Sequence, residues 1–236
     1  MTKDVVVLSA VRSPVGAFGG SLADMDPCDL GGMVMKEAIA RSNVDPQQIN
    51  YVTVGTTMPV DSRYAYVSRV ASIQAGLSMD SVAMQVSRLC ASGLQAIVTA
   101  AMMVQSGAAD VVIAGGVESM SNIEYYSTDM RWGARSGNVR FYDRLDRGRE
   151  RSQPVERFGK ISGMIETAEN LARDYQITRE QADAFALRSH QKAAAAWAAG
   201  RFADEIVPVQ VPQRKGDPIL FSQDEGFRAD ATPESL

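Results

Sequence analysis

A cysteine acts as a nucleophile only as its thiolate, so the surroundings of the two cysteines in this chain, Cys28 and Cys90, decide what chemistry is open to it. Cys90 stands where a strand-like run, Ser81 to Val86, gives way to CASGLQAIVTAAMMVQ, a segment whose pattern predicts a helix from about Cys90 to Gln105. At a helix N-terminus, unpaired backbone N–H groups and the helix dipole stabilise negative charge, which suits a nucleophilic thiolate. A small buried hydrophobe is the other reading of the same residue. Cys28 falls inside a predicted helix beside Leu30 and reads as a structural thiol without chemistry. A base serving either cysteine must lie within hydrogen-bond reach of its sulfur. The sole histidine, His190, lies in Leu187-Arg188-Ser189-His190-Gln191-Lys192 on a helix with a half-exposed pattern, and it reads as a solvated surface residue. Two cysteines make no disulfide framework, and no Cys/His cluster has zinc spacing, so no metal site is expected.

The elements that must position Cys90 follow from the periodicity. The first 120 or so residues alternate short β-branched runs with longer helical patterns, the signature of an α/β unit with a largely parallel sheet. Val5–Ser9, Tyr51–Gly55, Ser81–Val86 and Asp110–Ala114 read as strands. Asp26-Pro27 supplies a cap and a first-turn proline for one helix, and Val67–Gly76 reads as a second. The helix after Cys90 is apolar or small on nearly every face and carries no charge, so it is expected to be buried all round beneath a further layer of structure. Asn122 to Pro154 reads as an excursion of loops and short elements. Order returns with a helix over Glu166 to Tyr175. A second, long helix then opens on the capping box Thr178-Arg179-Glu180-Gln181 and closes at Gly200. A strand over Glu205 to Val211 and a turn at Arg214-Lys215-Gly216-Asp217 complete the pattern. Asp26, Asp61 and Glu118 stand at predicted element ends, where capping is the commoner role of a carboxylate.

With 236 residues, 45% hydrophobic and 22% charged, the composition is that of a globular protein with a sizeable core. A net charge of −4 without a basic cluster excludes an electrostatic footing for nucleic acid. Val5-Val6-Val7-Leu8 is too short for a membrane span and lacks a signal-peptide cleavage site, so a cytoplasmic protein without a membrane partner is expected.

Three motifs then narrow the reading. Ser87-Arg88-Leu89-Cys90-Ala91-Ser92-Gly93-Leu94-Gln95-Ala96-Ile97 resembles the active-cysteine segment of the thiolase family. Ala10-Val11-Arg12-Ser13-Pro14-Val15-Gly16 and Gly115-Gly116-Val117-Glu118-Ser119-Met120-Ser121 resemble other thiolase signatures, in the right order. Thr167-Ala168-Glu169-Asn170, Arg179-Glu180-Gln181 to Ala186, Gly200-Arg201-Phe202 and Glu205-Ile206-Val207-Pro208 resemble the family's loop domain, so the likeness runs along essentially the whole chain.

The resemblance implies an α/β thiolase fold, a layered αβαβα core of two similar halves with an inserted α+β loop domain. Residues 1–119 would be the N-terminal half and 120–236 most of the loop domain. It implies ping-pong acyl transfer through a Cys90 acyl-enzyme, condensing or thiolysing 3-ketoacyl-CoA or acetoacetyl-CoA, with acyl-CoA and coenzyme A as substrates and no cofactor. The backbone N–H of Cys90 would be one oxyanion donor. Arg228, in Phe227-Arg228-Ala229-Asp230-Ala231-Thr232, matches the arginine placed against adenine, though an exposed loop arginine reads equally well from the residues. Met164 matches a methionine of the pantetheine tunnel, preceded here by Gly163 where short-chain members often carry histidine. Arg214 and Lys215 would approach the phosphates, though a charged turn is most often only a turn. The family's Gly-His-Pro segment and second cysteine do not occur in these residues. The chain therefore reads as part of an acyltransferase, or as a half-enzyme subunit that takes both motifs from a partner chain. A ketoacyl-synthase relative is a third reading, which the Gly116–Ser121 segment and the loop domain fit less well. A homodimer or homotetramer is expected, with Arg131 to Tyr142 resembling the loop that joins dimers.

Overall fold

A computed structural model describes residues 4–147, 154–159 and 163–236. They form two compact units, one from Met1–Asn122 with Ala203–Glu225, the other from Ile123–Phe202 with Gly226–Leu236.

The first unit is built on a parallel sheet ordered β2-β1-β3, with β1 Tyr51–Gly55, β2 Val82–Val86 and β3 Val112–Gly116. Its helices are α1 (Pro27–Ser42), α2 (Val67–Gln74) and α3 (Ser92–Ser106). The central strand β1 is closed off on both faces, with Val52, Thr53 and Val54 no more than 1% exposed. Burying each valine stabilises the unit by roughly 1.5–3 kcal/mol. On one face Val52 and Val54 meet Met35 and Ile39 of α1, Ala71 of α2, and Ile49, Ala75 and Leu77. On the other, Thr53 donates its Oγ1 hydrogen to the carbonyl of Ala96 in α3 at 3.0 Å.

The local signals behave as physical chemistry requires. Asp26 caps α1 by accepting the Cys28 N–H at 2.7 Å, with Pro27 in the first turn, where its missing N–H has no intrahelical partner to lose. Asp61 accepts the N–H of Arg63 at 2.7 Å at the start of a 3₁₀ turn. Three expectations for this unit change. Val5–Ser9 joins no strand ladder among the described residues, and Val6 and Val7 are exposed. The helix after Cys90 begins at Ser92 and is not enclosed. Only Ser92, Ala96 and Ala100 are buried, while Leu94, Ile97 and Met102 lie open, since the described residues cover one stripe of it. Finally, the boundary expected at 119/120 falls after Asn122, and residues 203–225 pack with the first unit.

The cause of that return is a strap. Arg12 and Val207 pair backbones, with Arg12 donating to the Glu205 carbonyl and Val207 donating to that of Arg12, both at 2.8 Å. The Arg12 guanidinium grips Asp224 with two bonds of 2.7 and 3.0 Å and Glu205 with one of 2.7 Å. This fork-to-carboxylate geometry is among the stronger polar contacts available. Between the anchors, β6 (Val209–Val211) and β7 (Ile219–Phe221) form an antiparallel hairpin. Its residues Val209, Val211 and Phe221 pack on Met25 and Leu30. The expected turn at 214–217 closes the hairpin, and the expected strand over Glu205 to Val211 is confined to its last three residues.

The second unit holds the two-residue strands β4 (Tyr125–Tyr126) and β5 (Tyr142–Asp143), then α4 (Arg144–Arg147), α5 (Val155–Phe158), α6 (Met164–Asp174) and α7 (Arg179–Ala198). Arg144 lies over the Tyr126 ring at 4.6 Å and bonds Glu124 at 2.7 Å, fixing the start of this unit. The capping box of α7 forms as expected, with Thr178 and Gln181 exchanging bonds, and Gly200 takes the left-handed conformation that ends the helix (φ 65°). Trp197 and Phe202 then pack with their rings tilted by 49° and 5.0 Å between centres.

Glu225 completes the strap by accepting the N–H of Ala17 at 2.7 Å and that of Ser21 at 3.2 Å, together with the Ser21 hydroxyl. The Ser21 hydroxyl, and then the Ala17 N–H, hold its carboxyl below the usual carboxylate range. A carboxyl with a depressed folded-state pKa contributes stability that is present above its unfolded value, about 4.3. That contribution is lost as pH falls through the folded value. Glu225→Gln is therefore expected to lower the urea midpoint at pH 7, with the difference from wild type closing below about pH 4. Urea titrations followed by far-UV circular dichroism across that range measure it.

Candidate active site

Cys90 lies in the turn between β2 and α3, two residues ahead of the first residue of the helix, and it is exposed. Cys28 is 1% exposed, and burial pushes its thiol up to about 12, so it stays protonated and shut away at neutral pH. The two thiols thus differ in access: Cys28 is buried and Cys90 is exposed.

The turn carrying Cys90 is held from within. Leu89 has φ 52°, a left-handed conformation that a branched side chain takes only at a cost of order 1–3 kcal/mol. The Ser92 hydroxyl accepts the Arg88 N–H at 2.8 Å and donates to the Leu89 carbonyl at 2.6 Å. The Ala91 and Ser92 N–H groups bond back to the carbonyls of Arg88 and Leu89 at 3.1 and 3.0 Å. Arg88 also donates to Gln95 at 2.7 Å, one turn into the helix.

Beneath the turn, the sheet presses against the helix. A Cβ added to Gly55, the last residue of β1, would lie 2.4 Å from the carbonyl carbon of Ser92 and 2.5 Å from the nitrogen of Gly93. Backbone therefore touches backbone, and the helix start is set by the strand end. Glu118, just after β3, ties the neighbouring loop. It accepts the N–H groups of Thr57 and Met58 at 2.9 and 3.2 Å and the hydroxyl of Tyr64. Tyr64 is 3% exposed, and burial followed by the Glu118 carboxylate raises its pKa. Thr56 bonds the same hydroxyl. A cavity of about 320 Å³ opens here at the carboxyl ends of β1 and β2, lined by Thr56, Tyr64, Gln85 and Val86 among others. Ligands of open α/β sheets bind at such ends.

The other expected residues lie elsewhere. Met164 opens α6 and is 60% exposed. Arg228 is exposed, with its guanidinium 3.3 Å from the Ser235 carbonyl. Its backbone N–H donates to Nδ1 of His190 at 3.0 Å. His190 is thus not a solvated surface residue as expected; it is half-buried and bonded within the second unit. Arg214 and Lys215 border a cavity of about 470 Å³ with Ser21, Asp24 and Ile219 in the first unit. Among the described residues, no three His, Cys, Asp or Glu side chains gather as metal ligands. Ser92, Gly55 and the Tyr64–Glu118 pair were not singled out from the residue pattern. A serine two positions beyond the cysteine is the only local signal that pointed to the clamp, because serine hydroxyls commonly bond nearby backbone.

Comparison with known proteins places this geometry. The profile of the family "Thiolase, N-terminal domain" matches residues 5–236. A beta-ketothiolase of Cupriavidus necator is 44% identical over 236 residues, all of this chain and 58% of that protein. An acetyl-CoA acetyltransferase of the same organism is 41% identical, over 99% of this chain and 58% of its own length. The crystal structure of Bacillus anthracis acetyl-CoA acetyltransferase superposes with a TM-score of 0.90 at 40% identity, covering 99% of this chain and 57% of that one. Human mitochondrial 3-ketoacyl-CoA thiolase in complex with CoA gives 0.86 at 33% identity, covering 97% and 55%. The chain thus spans a little over half the length of these relatives. Leu89–Ser106 has the length and mean hydropathy, 1.4, of a membrane-crossing helix. Its buried stripe, Ser92, Ala96 and Ala100, packs on the sheet, and its large apolar residues Leu94, Ile97 and Met102 stay exposed among the described residues.

The contact at Gly55 separates two otherwise similar substitutions. Gly55→Ala drives a methyl into backbone and is expected to cost about 1–3 kcal/mol and to displace the Cys90 turn. Gly93→Ala meets nothing within 4 Å, and its expected effect is within about 0.5 kcal/mol. Chemical denaturation of both variants, with the rate of Cys90 acetylation by p-nitrophenyl acetate, measures the contrast.

Proposed function

The chain belongs to the family of thiolase N-terminal domains, and from that premise we propose that it supplies the nucleophile of a thiolase-type acyltransferase acting on coenzyme A thioesters. The observation that carries this reading is an exposed Cys90 on a clamped turn at the head of α3, with the chain's other thiol buried. The Cys90 thiolate attacks the thioester carbonyl, a new S–C bond forms, and negative charge moves to the oxygen. The backbone N–H of Cys90 would be one donor to that charge, the role the family likeness gives it. Collapse breaks the bond to the sulfur of coenzyme A, which leaves and takes up a proton. A second thiol, or the carbanion of an acetyl thioester, then attacks the acyl-enzyme and releases Cys90.

The relatives are longer than this chain, and the open face of α3 supports a further layer over it. Leu94, Ile97 and Met102 are 65%, 51% and 60% exposed, a surface that in water favours being covered. The second core half, carrying the activating histidine and second cysteine, would provide that layer, in the same polypeptide or as a partner chain. Arg228 and Met164 are assigned to coenzyme A, Arg228 by stacking on adenine. A cytoplasmic homodimer or homotetramer is part of the same reading, supported by Trp132, 94% exposed in the Arg131–Tyr142 stretch; light scattering separates these from a monomer.

Intact-mass spectrometry of the chain after incubation with acetyl-CoA or acetoacetyl-CoA tests the proposal. An acetyl adduct is expected on the wild type and not on Cys90→Ala, with Arg228→Ala needing about tenfold more acetyl-CoA for half-maximal labelling. Labelling that survives Cys90→Ala overturns the assignment of the nucleophile.

A further inference from the structure

Resting on the acyl-transfer reading, we propose that Ser92 is the positioning residue of Cys90, its hydroxyl holding the Arg88–Ser92 turn in the one conformation that presents the thiol ahead of α3. Ser92 does not touch a reacting atom in this account; it acts through the backbone on either side of the cysteine.

The geometry is specific. Ser92 is 4% exposed, so its hydroxyl has little water to turn to and depends on protein partners. It has two, and both belong to the turn: the Arg88 N–H at 2.8 Å and the Leu89 carbonyl at 2.6 Å. One oxygen thus spans the residues immediately before Cys90 and ties them to the residue two positions after it. The held conformation is a costly one, because Leu89 sits at φ 52°. Without the hydroxyl, the Arg88 N–H loses its bond and the Leu89 carbonyl keeps only that from the Ser92 N–H, so less holds Leu89 at positive φ. Either change moves Cys90. The helix end is not what Ser92 secures: the contact of Gly55 with the backbone of Ser92 and Gly93, and the bond from Thr53 to Ala96, remain whatever the side chain at 92. Ser92→Ala is therefore expected to loosen the turn while leaving α3 seated. Ser92→Thr keeps the oxygen.

Acylation by p-nitrophenyl acetate tests this in the 236-residue chain. The Cys90 sulfur takes the acetyl group and p-nitrophenolate leaves without needing a proton. Its release is followed by absorbance, the adduct by intact mass, and Cys90→Ala serves as the blank. Ser92→Ala is expected to slow Cys90 acetylation by at least about tenfold, with iodoacetamide alkylation of the same thiol and the melting temperature little changed and Ser92→Thr within about threefold of wild type. Amide hydrogen exchange gives an independent readout: the Arg88 N–H should be protected in wild type and Ser92→Thr, and lose that protection in Ser92→Ala while Ala96 and Ala100 keep theirs. Acetylation of Ser92→Ala at the wild-type rate overturns the positioning role and leaves the acyl-transfer reading intact. A wild type that takes no acetyl group on Cys90 from the aryl ester overturns the role of Ser92 in acylation, while the acyl-transfer reading is judged by the acetyl-CoA labelling and the clamp by the exchange data.

Discussion

Where β1 ends, its backbone lies against the first turn of α3 so closely that the site has no room for one side-chain carbon at Gly55. Much of the first unit is arranged around that contact. It fixes the height of the helix above the sheet, which in turn lets Thr53 reach the carbonyl of Ala96 and buries Ala96 and Ala100. Because β2 runs parallel to β1 and ends beside it, the chain has only the span from Val86 to Ser92 in which to climb from strand to helix. A left-handed residue at Leu89 and a hydroxyl bridge from Ser92 are how this sequence makes that short climb. Cys90 sits at its crest.

The periphery depends on a second kind of constraint, charge held by directed hydrogen bonds. Arg12 with Asp224 and Glu205, and Glu225 with Ala17 and Ser21, bring residues 203–225 back onto a unit they leave at Asn122. Their contribution is less general than that of the apolar core, since partly exposed ion pairs contribute modestly on their own. What they specify is which segment lies where. The hairpin β6–β7 then adds Val209, Val211 and Phe221 to the core beneath them, so polar anchoring and apolar burial reinforce each other.

Much of this was legible in the residues. Asp26 before Pro27, and Thr178 followed by Gln181, are local signals whose partners lie within a few positions, and both formed as read. Tyr51–Gly55 was read as a strand to the residue, and Cys90 was separated from Cys28 by the chemistry of its neighbours. The motifs around Cys90 pointed to the thiolase family, which the comparisons support along residues 5–236. The failures share a cause. Val5–Ser9 has the residues of a strand, but a strand exists only where another backbone accepts its hydrogen bonds. The helix after Cys90 has the composition of a fully enclosed one, yet enclosure requires a covering layer.

What the amino-acid sequence determined by itself was therefore what near neighbours govern: caps, turns and the period of the strands. Only the tertiary structure decided that residues 203–225 return to the first unit, that His190 holds the backbone of Arg228, and that Gly55 and Ser92 shape the turn of Cys90. The first two contacts and that of Gly55 join residues far apart in the chain, and the Ser92 bonds, though local, depend on the left-handed turn at Leu89. Neither is encoded in a local pattern, because contact between distant residues is a property of the packed chain as a whole.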